Sequence, residues 1–205
     1  MKKEYFVVGK KEYTKGELIY TQDLVNGLII LTPDIHKDDR GFFYESYNEN
    51  KYYEQGIIDH FGQDNHVKSY KNVIRGLHFQ SHPGQAKVVR CIVGRVLDVV
   101  VDIRPSSSTF GKAFSIELSS ENKKILYAPV GFAHGYAVLS DYAECLYKCS
   151  AVYNDTESGI AWDDPDLNID WKVENPIISE RDKNNQSFKD FVKKVTNKPS
   201  IVNWK

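Results

Sequence analysis

The stretches "IRGLHFQS" (74–81) and "GFAHGYAVL" (131–139) each set one histidine among glycines and apolar residues. Histidine exchanges a proton near neutral pH and is also a common metal ligand. His78 and His134 are therefore candidates for acid–base chemistry, for metal binding, or for hydrogen-bonded places in a core. A metal site needs about three convergent protein ligands. His78, His82, His134 and Glu144 could be offered, but strand alternation across "AECLYKCSAVY" (143–153) sets Glu144 opposite Tyr147.

The same alternation puts Ala143, Cys145, Tyr147, Cys149, Ala151 and Tyr153 on one face. Two phenols thus share a face with small residues, which leaves open space beside them where a packed core would place Leu, Ile or Val. In "RVLDVVVDIR" (95–104), Asp98, Asp102 and Arg104 share a face with Val96 and Val100. If that face is buried, its carboxylates need partners, and Arg or His would serve. Arg75 and His78 fall on opposite faces of an ideal strand. Their joint use requires a bulge or turn, which Gly76 allows.

Other chemistries find less support. "WDDPDLNIDW" (162–171) carries four carboxylates but lacks the glycine and the terminal glutamate of a calcium loop. Asx turns ordering a surface loop account for it. No glycine-rich phosphate loop follows a strand, and no serine or cysteine nucleophile motif occurs. Cys91, Cys145 and Cys149 are odd in number and lack the paired spacing of a zinc site, so they read as buried reduced thiols.

The elements that must hold these residues are mostly strands. "KVVRCIV", "RVLDVVVDIR", "AFSIELS", "KILYAPV", "GYAVLS" and "AECLYKCSAVY" are short β-branched or aromatic runs punctuated by Gly, Pro, Ser and Asn. Strands at this spacing without intervening helices argue for an antiparallel sandwich, jelly roll or barrel. Helical pattern appears twice. "NENKYYEQG" predicts a short helix ending at Gly56. "SFKDFVKKV" puts Phe188, Phe191, Val192 and Val195 at i, i+3, i+4 and i+7, with Ser187 as N-cap, and predicts a helix packed on the barrel or on a partner subunit.

The 205 residues form one domain by default. The 27 basic and 28 acidic side chains nearly cancel, so no polybasic surface for nucleic acid or anionic lipid is indicated. The first residues contain no apolar run of secretory length, and "NGLIILTP" and "VLDVVVDI" are too short to cross a membrane. A cytoplasmic enzyme or binding domain fits. Residues 1–25 read as an N-terminal arm, 26–182 as the core and 183–205 as a tail with a short helix.

"DDRGFFYES", "QDNH", "NVIRGLHFQ", "QAKVVRCIVGRVLDVVVDIR", "STFG", "PVGFAHGYAVLS", "AECLYK", "GIAWDDPDLNIDW" and "ISERD" occur in this order between about residues 26 and 182. As an ordered set they resemble the dTDP-4-dehydrorhamnose 3,5-epimerase family. The resemblance implies an all-β, cupin-type antiparallel jelly roll with short peripheral helices, a homodimer, a dTDP-sugar substrate, and no metal or organic cofactor. It also implies a reaction. A hydrogen beside a ketone is removed by a base, the enolate is stabilised, and a proton returns from the opposite face.

By the same resemblance His78 is the base, Asp182 holds its imidazole, Tyr147 is the acid and Lys87 stands near the enolate oxygen. Arg40, Glu45, Gln63, Asn65, Arg75, His134, Glu157 and Arg181 match substrate-binding positions, and Tyr153 matches the aromatic that stacks on thymine. Arginine suits a diphosphate because its planar fork can bond two oxygens. The chain departs from the pattern at Val67, where Ser is frequent, at Val152, where a second Tyr is frequent, and at Arg181, where Lys is usual. Extra residues also precede the family start. The alternatives are an epimerase acting at one carbon of a related keto sugar, a metal-dependent cupin enzyme, and a sugar-binding jelly roll without catalysis.

Overall fold

The computed structural model describes residues 19–20, 27–197 and 202. Apart from a two-residue strand, the expected arm over 1–25 lies outside the described residues, as does most of the chain beyond 197. The wall of one sheet runs in the order β1 (Ile19–Tyr20), β2 (Ile29–Leu31), β10 (Ile125–Ala128), β7 (Lys87–Val93), β12 (Tyr142–Cys149) and β5 (Gln63–Tyr70). The second sheet runs β13 (Glu157–Gly159), β6 (Ile74–Gln80), β11 (Phe132–Val138), β8 (Arg95–Asp102) and β9 (Ala113–Ser119). A separate hairpin joins β3 (His36–Asp38) to β4 (Gly41–Phe43). Every pairing within these sheets is antiparallel. Two such sheets face to face are the expected antiparallel β jelly roll.

Three apolar clusters follow from strand alternation. Val89, Cys91, Leu126, Ala143 and Cys145 from one sheet meet Val96, Val100, Leu118, Tyr136 and Val138 from the other, forming the interior. The outward side chains of the five-stranded sheet, among them Leu77, Phe79, Val99 and Val101, lie under Trp171 and a C-terminal helix. Those of the six-stranded sheet, Ile29, Val88 and Tyr127, lie under Tyr52 and Ile57. The central strand β8 is thus covered on both faces, which explains why it reads as a nearly continuous apolar run.

The two predicted helices form. Asn48 caps α1 (Glu49–Glu54) by accepting from Lys51 N, and Gly56 leaves it at φ +85°. In α3 (Phe188–Asn197), the Ser187 hydroxyl accepts from Asp190 N at 3.1 Å. Phe191 and Val195 are buried, with the Phe191 ring 5.3 Å from Phe79, whereas Val192 is only partly covered. Burying two such side chains contributes roughly 1.5–3 kcal/mol each, more than propensity alone gives ten residues. Asp164 explains what starts this helix. It is buried and accepts from both Asp166 N (3.0 Å) and Phe188 N (2.7 Å). The acidic run is therefore an Asx turn, as expected, but at Asp164 it is an interior anchor and not surface.

One local irregularity positions the site. Along β6 and β11, His78 pairs with His134 but Arg75 pairs with Tyr136, so Gly76 and Leu77 on one strand oppose Gly135 alone on the other. This bulge resets alternation, turning both Arg75 and His78 inward while Ile74, Leu77 and Phe79 turn outward. Gly76 carries it at φ +117°, and a Cβ there would stand 2.6 Å from the Gly135 Cα. Only glycine tolerates both the dihedral and the contact.

Candidate active site

A cleft of about 350 Å³ opens between the two sheets at one end of the barrel. Gln63, Asn65, Lys87 and Tyr147 reach it from the six-stranded sheet. Arg75, His78, His134 and Glu157 reach it from the five-stranded sheet, with Tyr153 and Arg181 at its mouth. Asp182 stands behind His78. It belongs to α2 (Glu180–Lys183), whose N-cap Ser179 accepts from Asp182 N.

His78 and Asp182 form a close pair at the cleft wall, with Nε2 and Oδ1 2.6 Å apart. Asp182 Oδ2 accepts a second bond from Gly76 N at 3.2 Å. Burial alone would raise this carboxyl, but the hydrogen bond and charge of His78 and the Gly76 and Ser179 bonds hold it below its ordinary value. An ionised carboxylate can only accept, so His78 Nε2 carries the proton. In the neutral ring, the form that can act as a base, Nδ1 then keeps a free lone pair, and it has no partner among the described residues.

A second imidazole–carboxylate pair lies beside the first. His134 Nε2 is 3.0 Å from both oxygens of Asp98, and both residues are buried. The buried carboxylate expected from the alternation of β8 has thus found a histidine. Asp102, further along that face, is met by Arg104, Ser107 and Thr109. His134 lines the cleft, but its Nε2 is committed to Asp98.

Lys87 is 8 % exposed, and its ammonium makes no hydrogen bond among the described residues. Burial pushes its ammonium below the ordinary lysine value, opposed by the nearby Cys149, Glu157 and Asp98. A desolvated cation without a partner is costly unless an anion arrives. Tyr147 approaches from the wall opposite His78, half-buried, and burial raises its phenol so that it stays protonated. Tyr153 enters differently. The strand stops at Cys149, so alternation does not carry to residue 153. Instead Gln63 Oε1 accepts from Tyr153 N at 2.8 Å and holds the exposed ring at the mouth. Gln63 Nε2 in turn donates to Asn65, whose amide donates to Cys149 Sγ. Across the mouth, Arg181 donates to Glu157.

Two of the residues matched to substrate-binding positions by the resemblance are elsewhere. Arg40 sits in the β3–β4 hairpin, paired with Asp38 and highly exposed. Glu45 bonds Lys51 and Asn48 near the start of α1. Conversely, Tyr136, Gln85 and Cys149 line the cleft without having been chosen. Alternation would have found Tyr136, two residues past His134 on the same strand. Among the described residues no cluster of His, Cys, Asp and Glu could hold a metal ion, and no helix is long and apolar enough to cross a membrane.

The family model of dTDP-4-dehydrorhamnose 3,5-epimerase matches residues 22–190. A protein of that name from Shigella flexneri is 51% identical over 166 residues, covering 80% of this chain and 92% of its own. The crystal structure of dTDP-4-dehydrorhamnose 3,5-epimerase from Elizabethkingia anophelis superposes with a TM-score of 0.81 at 46% identity, over 86% of this chain and 98% of that one. The epimerase from Legionella pneumophila, solved in complex with dTDP-4-keto-L-rhamnose, gives a TM-score of 0.83 at 40% identity, over 92% and 98%. Matching elements, cleft and sequence together, the chain belongs to the dTDP-4-dehydrorhamnose 3,5-epimerase family.

Proposed function

We propose that this chain epimerises dTDP-4-keto-6-deoxy-D-glucose at carbons 3 and 5, giving dTDP-4-keto-L-rhamnose for dTDP-L-rhamnose and related deoxysugars. His78 removes the proton beside the ketone through Nδ1, while Asp182 orients the ring and offsets the charge it gains. Electrons move onto the ketone oxygen, and Lys87 stabilises that enolate. Tyr147 then protonates the carbon from the other side. Arg75 and Arg181 serve the diphosphate, Tyr153 stacks on the base, and Gln63, Asn65, His134 and Glu157 complete the contacts. The observation that carries this reading is the oriented His78–Asp182 pair facing Tyr147 across a cleft that holds an unpartnered buried ammonium.

The test is proton exchange. The chelated protein, given the keto sugar in deuterated water, will incorporate deuterium at both carbons flanking the ketone, followed by NMR. Incorporation at one carbon identifies a single-position epimerase. Activity that needs an added divalent ion overturns the cofactor-free mechanism.

Acidity gives an independent check on Lys87. Its folded value lies below the ordinary lysine value, and Tyr147 lies above the ordinary tyrosine value. As pH rises, Lys87 therefore loses its proton before its ordinary range is reached, and kcat falls with it. Lys87→Arg, which keeps its charge, will move this alkaline limb upward. Coincident limbs in the two proteins would remove Lys87 from the rate-determining chemistry.

We also place Arg40 and Glu45 in the site of a second copy within a homodimer. The support is that the hairpin presents Arg40 beside the exposed Phe42 and Phe43, while neither residue reaches the cleft of its own chain. Sedimentation at the mass of one chain would refute it. The jelly-roll core and the α3 helix packed on it through Phe191 and Val195 form one catalytic domain. The buried free cysteines fit a reducing cytoplasm.

A further inference from the structure

Tyr136 carries a hydroxyl at the floor of the cleft that the mechanism above leaves unused. The residue is 6 % exposed, and its Oη is 3.0 Å from the Ser69 hydroxyl. Ser69, itself 3 % exposed on β5, also accepts from Arg75 Nε at 2.9 Å. Tyr136, Ser69 and Arg75 thus form a chain of hydrogen bonds joining both walls of the cleft.

Counting protons decides its direction. Ser69 Oγ has one hydrogen and two lone pairs, and Arg75 Nε–H can only donate. If Tyr136 also donated to Ser69, the serine hydrogen would have no acceptor among the described residues, a costly state for a buried hydroxyl. With Ser69 donating to Tyr136, the serine and the guanidinium Nε–H are both satisfied. The phenolic hydrogen of Tyr136 is then the one left over, and the residue lines the cleft. Burial pushes the phenol up to about 12, so the hydrogen is present throughout the working range.

We infer that Tyr136 is a substrate-binding donor, aimed by Ser69 at a diphosphate oxygen of the nucleotide sugar beside the Arg75 guanidinium. This rests on the nucleotide-sugar reading of the cleft. The anionic group is favoured over the sugar because Arg75 shares the hydrogen-bond chain, so one ligand oxygen cluster can serve both donors. Ser69 touches no ligand in this account. It is a positioning residue that ties phenol and guanidinium together.

The experiment is calorimetric titration with dTDP alone, together with steady-state kinetics on the keto sugar. Tyr136→Phe will weaken dTDP binding roughly 10- to 100-fold, the range for a lost bond to a charged group, and the loss will appear in KM more than in kcat. Ser69→Ala will weaken it less, and the double variant will lose less than the product of the single losses, because both act on one chain. Thermal unfolding of each variant checks that the fold persists. Unchanged dTDP affinity in Tyr136→Phe overturns the inference, as does a defect seen only with the whole nucleotide sugar. So do fully multiplicative losses. Failure of the unaltered protein to bind dTDP would instead overturn the reading of the cleft itself.

Discussion

Replacing His78 with asparagine will abolish deuterium incorporation at both carbons beside the ketone, lowering kcat by about 10²–10⁴-fold, the usual worth of general acid–base catalysis. Asparagine suits the test because its amide can still donate to Asp182, so the buried carboxylate keeps a partner. The histidine is partly exposed on the cleft wall, so packing changes little and dTDP affinity will remain. The adjacent His134–Asp98 pair makes the result informative at each carbon separately. Were His134 the base for one carbon, His78→Asn would retain exchange there and lose it at the other. Near-normal incorporation at both would remove His78 as the base.

The second large effect is expected at Tyr147, and it separates abstraction from inversion. Tyr147→Phe keeps the ring and removes the donor. His78 can still form the enolate beside Lys87, so exchange will persist at the flanking carbons. Inverted product will fall by about 10²-fold or more, because a proton returned from the His78 wall restores the original configuration. Water entering the cleft permits a slow residual inversion. Tyr153→Phe retains the ring held at the mouth by Gln63 and will leave turnover largely intact. The opposite pattern, full inversion without the Tyr147 hydroxyl and a loss without that of Tyr153, would exchange the roles of the two phenols.

Much of the fold was legible in sequence because short-range rules govern it. Alternation along one strand depends only on backbone pleat, so the inward places of Tyr147, Asp98 and Asp102 were accessible from residue order. Helix α3 was legible through its apolar spacing and its Ser187 cap, both local. The motifs surrounding His78 and Asp182 pointed to a pair through family resemblance, although 104 positions separate them.

Tertiary structure decided the rest. Arg75 and His78 share the cleft because a bulge at Gly76 fits against Gly135 on a neighbouring strand, a contact that no local pattern encodes. Asp98 found His134, and Asp164 found the backbone of Phe188, because burial forces each carboxylate to seek whichever donor the packed sheets bring near. Tyr153 reached the mouth through Gln63 and not through alternation, since the strand ends at Cys149. Arg40 and Glu45 remained outside the cleft for the complementary reason: their hairpin and helix cap satisfy them locally. The sequence by itself determined which residue types could do proton chemistry and which faces they would occupy. Only the closure of two sheets on each other determined which faces meet, because that depends on register and hydrogen-bond satisfaction across the whole barrel.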